Sequence, residues 1–226
     1  RNTASIQVNF DITDKKDGEK MVFLADCLQP ICAYLFANSP FYKNKPTGTE
    51  NIRNVIWEHT DNHRCRNLID HGINSPNNLI QSYIEYMMDV IGIFQLNSAN
   101  VLEAADGTLG ERLINLYVNG KIREADIQTA LHQIFTNVRF KHLVEVRGAD
   151  RPPLGHELAP VAFWTGLLTT EKIREKALDV VKHWSDEERL SWNKAALNLD
   201  SSQTGPDGKT FGFWNEWAGE LAMEGL

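Results

Sequence analysis

A ten-residue run near the start of the chain alternates between polar and apolar side chains without exception. In the run 3–12, every even position is apolar and every odd position is polar. Because successive side chains of a β-strand point to opposite faces of a sheet, this period of two predicts a strand with one face in a core. The other face carries Ser5, Gln7 and Asn9. Their hydroxyl and amide groups are typical of a surface that lines a ligand site, and equally of a plain exposed strand.

A second β-patterned run, 140–150, ends by presenting two opposite charges on one face. The period of two places Val144 and Val146 on one side and Glu145 and Arg147 on the other. A carboxylate suits Mg²⁺, which prefers oxygen ligands, and the planar arginine fork matches phosphate oxygens. The alternative is a structural ion pair, which is common on exposed sheets. The residues alone leave both interpretations open.

Most of the remaining chain is patterned as helix. Pro30 lies within the first helical pattern and is expected to kink or split it, because proline removes a backbone donor. Capping boxes at Thr108–Glu111 and Ser185–Glu188 predict two helix starts. Helices are expected from Gly18 to Asn38, from Ser75-Pro76 onward, from Thr108 to near Gly120, over 124–135, 157–168 and 171–184, after Ser185, and around Trp214 and Trp217. No repeat or interdomain linker is evident, so we expect a single domain over residues 1–226.

The segment between the first two long helical patterns is predicted to be a ligand-binding loop. A stretch rich in glycine, asparagine, proline and lysine leads into 52–64, where Arg53, Trp57 and Arg64 lie among other polar and charged residues. Loops that carry such residues often bind ligands.

Composition limits the classes of partner. The formal charge is −7 and the isoelectric point is near 5.5, which argues against general binding to nucleic acid or to an anionic membrane. No membrane-spanning run is present in the sequence. The three cysteines, Cys27, Cys32 and Cys65, are odd in number and fit a reducing cytoplasm.

Three familiar motifs are not met by this sequence. A phosphate loop would need a glycine at position 203, where Gln203 stands, so 205–210 is predicted to be an Asp-Gly turn. The residues His59, His63, Cys65 and His71 could ligate zinc, but their segment has neither helical patterning nor paired spacing. A nucleophile elbow for serine chemistry is also missing from the sequence.

The ordered motifs of the chain resemble the plant and proteobacterial type of glutamate-cysteine ligase. The blocks that carry the resemblance run in family order to about Asn193: TASIQVNFD at 3–11, LQP at 28–30, LFANSPF at 35–41, IRNVIW at 52–57, Tyr83 with Tyr86 and Asp89-Val90, Ile134-Phe135 with Val138-Arg139, VEVRGAD at 144–150, and AFWTGLL at 162–168. The NSPF and ExRGAD blocks are the specific ones.

The resemblance implies both a fold and a reaction. The fold is α+β, a glutamine-synthetase-like curved antiparallel sheet backed by helices. The reaction is ATP- and Mg²⁺-dependent: the γ-carboxylate of glutamate takes the γ-phosphoryl group, and the amine of cysteine then displaces phosphate. The small-molecule substrates would be glutamate and cysteine.

The resemblance also implies roles for individual residues. Glu145 would be a Mg²⁺ ligand and Arg147 the cation at the transferring phosphoryl group. Gln7 would be a weaker metal ligand and would line the ATP site together with Asn9. The implied substrate-binding residues are Arg53, Trp57, Arg64 and Tyr86, although a core-edge role suits Tyr86 as well.

The family pattern includes an amino-terminal portion that precedes this chain and carries further acidic metal ligands. We therefore expect residues 1–226 to be a fragment of the catalytic domain, with weak or no activity alone. Two alternatives remain open: a related carboxylate-amine ligase with another amine acceptor, and a non-catalytic binding protein with the same fold.

Overall fold

The computed structural model of the chain describes residues 3–226, which contain seven strands and nine α-helices. The strands are β1 (Ser5–Phe10), β2 (Phe41–Tyr42), β3 (Lys45–Pro46), β4 (Phe94–Leu96), β5 (Leu102–Ala104), β6 (Val138–Phe140) and β7 (Val144–Asp150). The helices are α1 (Lys15–Leu35), α2 (Ile52–Glu58), α3 (Leu79–Asp89), α4 (Leu109–Val118), α5 (Glu124–Leu131), α6 (Ala159–Leu168), α7 (Glu171–Val181), α8 (Asp186–Ala195) and α9 (Phe211–Gly225). Two short 3₁₀ turns cover Leu68–His71 and Pro206–Gly208.

The central sheet has three antiparallel strands in the order β1-β7-β6. Its register aligns Val8, Val146 and Val138 in one row across the three strands. All three valines are buried in the hydrophobic core, so this face of the sheet is the one that packs inward. The strands β2 and β3 form one separate hairpin, and β4 and β5 form another.

Helices cover the inward face of the sheet. Helix α1 packs against β6 and β7, and α6 packs against β1 and α9. These contacts join one hydrophobic cluster that runs from the sheet through α1 to the tryptophans Trp164, Trp192 and Trp214. The predicted combination of an antiparallel sheet with helices behind it is therefore confirmed.

The first strand follows its sequence pattern over most of its length. Val8 and Phe10 are buried, while Gln7 and Asn9 are exposed. The alternation extends further than the strand does, since Ala4 is exposed and lies outside β1. A period of two thus identified the inward face but not the ends of the strand.

Of the kink or split predicted at Pro30, the split is wrong: α1 continues to Leu35 with most of its residues buried in the core. Two further predictions are also wrong. Helix α3 begins at Leu79, and the Ser75 hydroxyl instead accepts a hydrogen bond of 3.1 Å from the Asn77 amide. The loop expected at 52–64 contains α2, whose buried positions include Arg53. An inward face that carries a charged residue lacks the apolar period by which a helix is predicted.

Both capping boxes are confirmed. The Glu111 amide donates to the Thr108 hydroxyl at 3.1 Å, and the Glu188 amide donates to the Ser185 hydroxyl at 3.2 Å. The segment at 205–210 is a turn, as predicted, with Asp207 in the left-handed region.

Two further observations concern the cysteines and the helices. Cys27, Cys32 and Cys65 are buried and unpaired within the part of the chain that the structure describes. Across residues 3–226, no helix combines the length and the apolar character that a bilayer crossing requires.

Candidate active site

The outward face of the sheet brings charged residues from two strands together. The register sets Arg139 of β6 opposite Glu145 of β7, and Glu145 opposite Asn9 of β1. Lys141 lies in the turn between β6 and β7, where its amide donates to the Leu143 carbonyl oxygen at 2.9 Å. The hairpin thus brings the polar side chains of Arg139, Lys141 and Glu145 close together at one end of the sheet.

Three cations surround the Glu145 carboxylate. Arg139 Nε donates to Glu145 Oε2 at 2.6 Å, and Lys141 Nζ lies 3.3 Å from the same oxygen. Arg147 Nη1 lies 3.6 Å from Glu145 Oε1, which confirms that Glu145 and Arg147 share one face. We call these four residues the cation cluster. Three positive charges against one negative charge leave it with a formal surplus of two.

The cluster is largely withdrawn from solvent, so its charges act on one another strongly. The side chains of Arg139, Lys141, Glu145 and Arg147 are between 6% and 12% exposed. Burial would raise the pKa of the Glu145 carboxyl, but the Arg139 hydrogen bond and the charges of Arg139, Arg147 and Lys141 hold that pKa below its usual value. Burial, together with the nearby Arg139 charge, lowers the pKa of Arg147 to about 10, which leaves its guanidinium charged at neutral pH.

The Arg139 guanidinium is occupied by hydrogen bonds to other protein groups. Besides Glu145, it donates to the carbonyl oxygens of His132 at 3.2 Å and Ile134 at 3.0 Å, which follow helix α5. Within residues 3–226, by contrast, the charged groups of Lys141 and Arg147 have Glu145 as their ion-pair partner and form no hydrogen bond that competes with it. These two cations are therefore the ones available to an added anion.

A bulge in β7 positions Arg147. Residues Ile6 and Val8 of β1 pair with Ala149 and Val146, so Arg147 and Gly148 together lie opposite Gln7. Helix α1 approaches the bulge so closely that a Cβ on Gly148 would lie 1.7 Å from Nε2 of Gln29. A side chain at position 148 would therefore have to displace the Gln29 amide, so the close packing of α1 on the strand disfavours a residue larger than glycine there.

Arg53 fixes the bulge from the other side. Its guanidinium donates to the carbonyl oxygens of Arg147 and Gly148, each at 2.8 Å, and its Nε lies 3.8 Å from Asp150. Its own amide donates to the Ser39 hydroxyl, which in turn donates to Asp150 Oδ2 at 2.6 Å. The start of α2 and the end of β7 are thus held together through buried polar groups.

The other predicted substrate residues, Arg64, Tyr86 and Trp57, make their contacts outside the cation cluster. The Arg64 guanidinium donates to Asp61 at 2.7 Å and to carbonyl oxygens of Ile91 and Gln133, and the residue is 5% exposed. The Tyr86 hydroxyl donates to the His63 carbonyl oxygen at 2.9 Å.

The indole N–H of Trp57 points into the interior of the protein. Its indole Nε1 is buried without a hydrogen-bond partner among the described residues, and the residue lines a small polar cavity together with Gln29, Arg66 and Asn193. Its ring packs against Phe135 with centroids 6.5 Å apart.

The described residues do not by themselves fit a metal centre. Among residues 3–226, no group of three or more histidine, cysteine, aspartate or glutamate side chains could hold an ion. Glu145, the predicted Mg²⁺ ligand, contacts cations through both oxygens, and Gln7 is exposed on the neighbouring strand. His59, His63, Cys65 and His71, which were considered as zinc ligands, do not form such a group in this part of the chain either, and Cys65 is fully buried.

Arg139, Lys141 and Asp150 were not predicted as site residues. A hairpin between Phe140 and Val144 places Arg139 near Glu145, but its strand ends and register are set by the folded sheet, so the sequence pattern alone gave no signal for this pair. Chemically, the cluster can bind an oxyanion, because two uncommitted cations flank a carboxylate that neutralises only part of their charge.

Comparison with known proteins gives consistent matches. The model of glutamate-cysteine ligase family 2 matches residues 2–215. The chain is 32% identical over 198 residues to the chloroplastic glutamate-cysteine ligase of Nicotiana tabacum, which covers 83% of this chain and 36% of that protein. The corresponding values are 31% for chloroplastic glutamate-cysteine ligase A of Oryza sativa subsp. indica, with 83% and 38% covered, and 32% for the chloroplastic enzyme of Arabidopsis thaliana, with 83% and 36% covered. The chain thus spans little more than a third of the length of these relatives.

Proposed function

The chain belongs to glutamate-cysteine ligase family 2, and we propose that it forms part of the catalytic region of an ATP-dependent ligase that joins glutamate to cysteine. The observation that carries the proposal is the cation cluster. A formal surplus of two positive charges, on side chains that are nearly buried, suits a phosphate-bearing substrate on a protein whose net charge is otherwise negative.

The proposed reaction has two steps. An oxygen of the glutamate γ-carboxylate attacks the γ-phosphorus of ATP, and the bond from that phosphorus to the bridging oxygen breaks to release ADP. The amine nitrogen of cysteine then attacks the γ-carbonyl carbon, phosphate leaves, and the amine loses a proton as the amide forms. Phosphoryl transfer of this kind depends mainly on positioning and on fixed positive charge.

Arg147 is proposed as the cation at the transferring phosphoryl group. It lies in the bulge, its side chain is 12% exposed, and its guanidinium pairs with Glu145 at 3.6 Å without a hydrogen bond to any of residues 3–226. Gln7 and Asn9 are proposed to line the nucleotide site, because they lie opposite Arg147-Gly148 and opposite Glu145 on β1.

Arg53, Trp57, Arg64 and Tyr86 remain proposals for the substrate pocket. Since the polar groups of Arg53, Arg64 and Tyr86 already contact backbone oxygens, a substrate would share those donors rather than find them unused. Such a role is compatible with arginine, which carries five N–H donors.

Mg²⁺ is expected to assist by neutralising phosphate oxygens. Glu145 and Gln7 are its proposed ligands, but the described residues do not complete a coordination shell. Residues 1–226 alone are accordingly expected to be weakly active or inactive.

Membership of the family also supports a proposal for the fold. The sheet β1-β7-β6 would be part of a glutamine-synthetase-like curved sheet.

The cellular site of the reaction is a further proposal. Three buried, unpaired cysteines suit a reducing compartment, which includes the cytoplasm proposed from the sequence. The relatives are named as chloroplastic proteins, so that organelle is the second candidate.

The test is an assay of the full-length protein with ATP, Mg²⁺, glutamate and cysteine. We expect ADP release that requires both amino acids and that falls sharply in Arg147→Ala and Glu145→Ala. Undiminished turnover in either variant would remove the role assigned to that residue. A panel of other amines identifies a different acceptor if cysteine gives no stimulation, and calorimetric binding of ATP and glutamate without turnover would indicate a non-catalytic protein.

A further inference from the structure

The two uncommitted cations of the cluster lie on either side of one carboxylate. Lys141 Nζ is 3.3 Å from Oε2 of Glu145, and Arg147 Nη1 is 3.6 Å from Oε1. Arg139, the third cation, is held in place by Glu145 and by two backbone carbonyl oxygens. Glu145 therefore holds one uncommitted cation at each of its two oxygens, while Arg139 fixes Glu145.

Lys141 is unusually placed for a lysine that serves only to balance charge. Lysine is seldom buried unless it is paired, yet this side chain is 11% exposed and shares its carboxylate with two arginines. Glu145 can neutralise only one of the three cations. The remaining charge is stabilised when an anion binds, because in a partly desolvated site an opposite charge acts with little screening.

We propose that Lys141 is a second catalytic cation, which contacts the transferring phosphoryl group together with Arg147. The inference rests on the proposed ligase function and adds a residue to it. Arg147 supplies a planar pair of donors for two phosphate oxygens, and Lys141 supplies a compact point charge from the neighbouring turn.

The role follows from where charge moves in the first step. As the γ-carboxylate oxygen bonds to the γ-phosphorus, the electron pair of the breaking P–O bond goes to the bridging oxygen of ADP. Negative charge then lies on that oxygen and on the three oxygens of the transferred group. Lys141 and Arg147 stabilise this charge and transfer no proton.

The first experiment measures steady-state kinetics of Lys141→Gln, Lys141→Arg and the wild type in the full-length protein. Loss of one fixed cation at a developing charge is expected to lower kcat/KM for ATP by about 100-fold, mainly through kcat. The KM for glutamate should stay unchanged, and Lys141→Arg should recover part of the loss. The matched control is Lys20→Gln, since Lys20 pairs with Glu175 at 2.6 Å with its side chain 40% exposed.

The outcomes separate this inference from the function on which it rests. A wild-type protein that releases no ADP with glutamate and cysteine contradicts the proposed function. A wild type that turns over while Lys141→Gln matches it in kcat and in KM for ATP contradicts the role of Lys141 alone.

A second measurement uses the wild type and so does not depend on the folding of a variant. An amine-reactive reagent is applied with and without ATP, and modification of Lys141 and Lys20 is followed by mass spectrometry of peptides. We expect ATP to slow modification of Lys141 but not of Lys20, and glutamate alone to protect neither. Equal rates at Lys141 with and without ATP would overturn the proposal.

Discussion

Arg53 donates a hydrogen bond of 2.8 Å to the carbonyl oxygen of Gly148, at the bulge that positions Arg147. A second donor of the same guanidinium contacts the Arg147 carbonyl oxygen, also at 2.8 Å. The geometry of the charged side chain at position 147 therefore depends on a residue that lies on a different element, α2.

Replacing Arg53 with alanine should destabilise the protein and misplace Arg147. The change leaves Asp150, the buried Gly148 carbonyl oxygen and the partly buried Arg147 carbonyl oxygen without their cation, a loss of about 3–5 kcal/mol for a buried charged partner. Urea denaturation measures the free energy of unfolding. Arg151→Ala is the matched control, because its pair with Glu157 is on the surface and little change is expected. Equal unfolding midpoints for the two variants would contradict the prediction.

Replacing Glu145 with glutamine should destabilise the protein, because Arg139, Lys141 and Arg147 would then repel one another without a counter-charge. Three nearly buried cations would lose their shared counter-charge, and we expect a destabilisation of about 3–5 kcal/mol at neutral pH. Thermal unfolding in low and high salt measures it, and salt should recover part of the loss by screening the repulsion.

The stability of Glu145→Gln should also depend on pH differently from that of the wild type. The folded-state pKa of Glu145 lies below its usual value of 4.5, so its charge stabilises the fold above that pH, and this contribution is lost as the pH falls through the lower folded-state pKa. Glu145→Gln should therefore lose less stability than the wild type on acidification below pH 4.5. Parallel acid unfolding curves for the two proteins would show that Glu145 makes no such contribution.

Replacing Gly148 with alanine should displace the buried side chain of Gln29 on α1. The new Cβ would lie 1.7 Å from Gln29 Nε2, and overpacking of this kind costs roughly 1–3 kcal/mol. The double variant Gln29→Ala/Gly148→Ala should recover most of the loss, because the amide of Gln29 has no hydrogen-bond partner among residues 3–226. Gly219→Ala is the control: its Cβ would meet nothing within 4 Å inside α9, and up to about 1 kcal/mol of stabilisation is expected. Denaturation of the wild type, Gln29→Ala, Gly148→Ala and the double variant measures the coupling between the two positions, alongside the Gly219→Ala control.

The cysteines should react slowly in the native protein. Burial raises the pKa of Cys27 and of Cys32 to about 12 and that of Cys65 to about 11, so the reactive thiolate is rare at neutral pH and poorly reachable. A chromogenic disulfide reagent should detect the three thiols fully only after denaturation. Fast reaction of a thiol in the native state would contradict their burial.

The sheet was predicted more completely than the site. Alternation identified the inward faces of β1 and β7, because a strand buried on one face must repeat every two residues. Helix α2 was missed for the opposite reason: its inward face carries Arg53, whose burial is made tolerable by acceptors that come from β7, far along the sequence.

The sequence by itself determined that Glu145 and Arg147 share one face of a strand, that capped helices begin after Thr108 and Ser185, and that the ordered motifs are those of one ligase family. These properties depend on side-chain periodicity and on residue order, both of which are local. Only the tertiary structure decided which cations surround Glu145. Arg139 reaches it by pairing across a hairpin, Lys141 reaches it from the turn, and Arg53 holds the bulge from a separate helix. Contacts between distant segments depend on strand register and helix packing, and the pattern within any one segment does not record them.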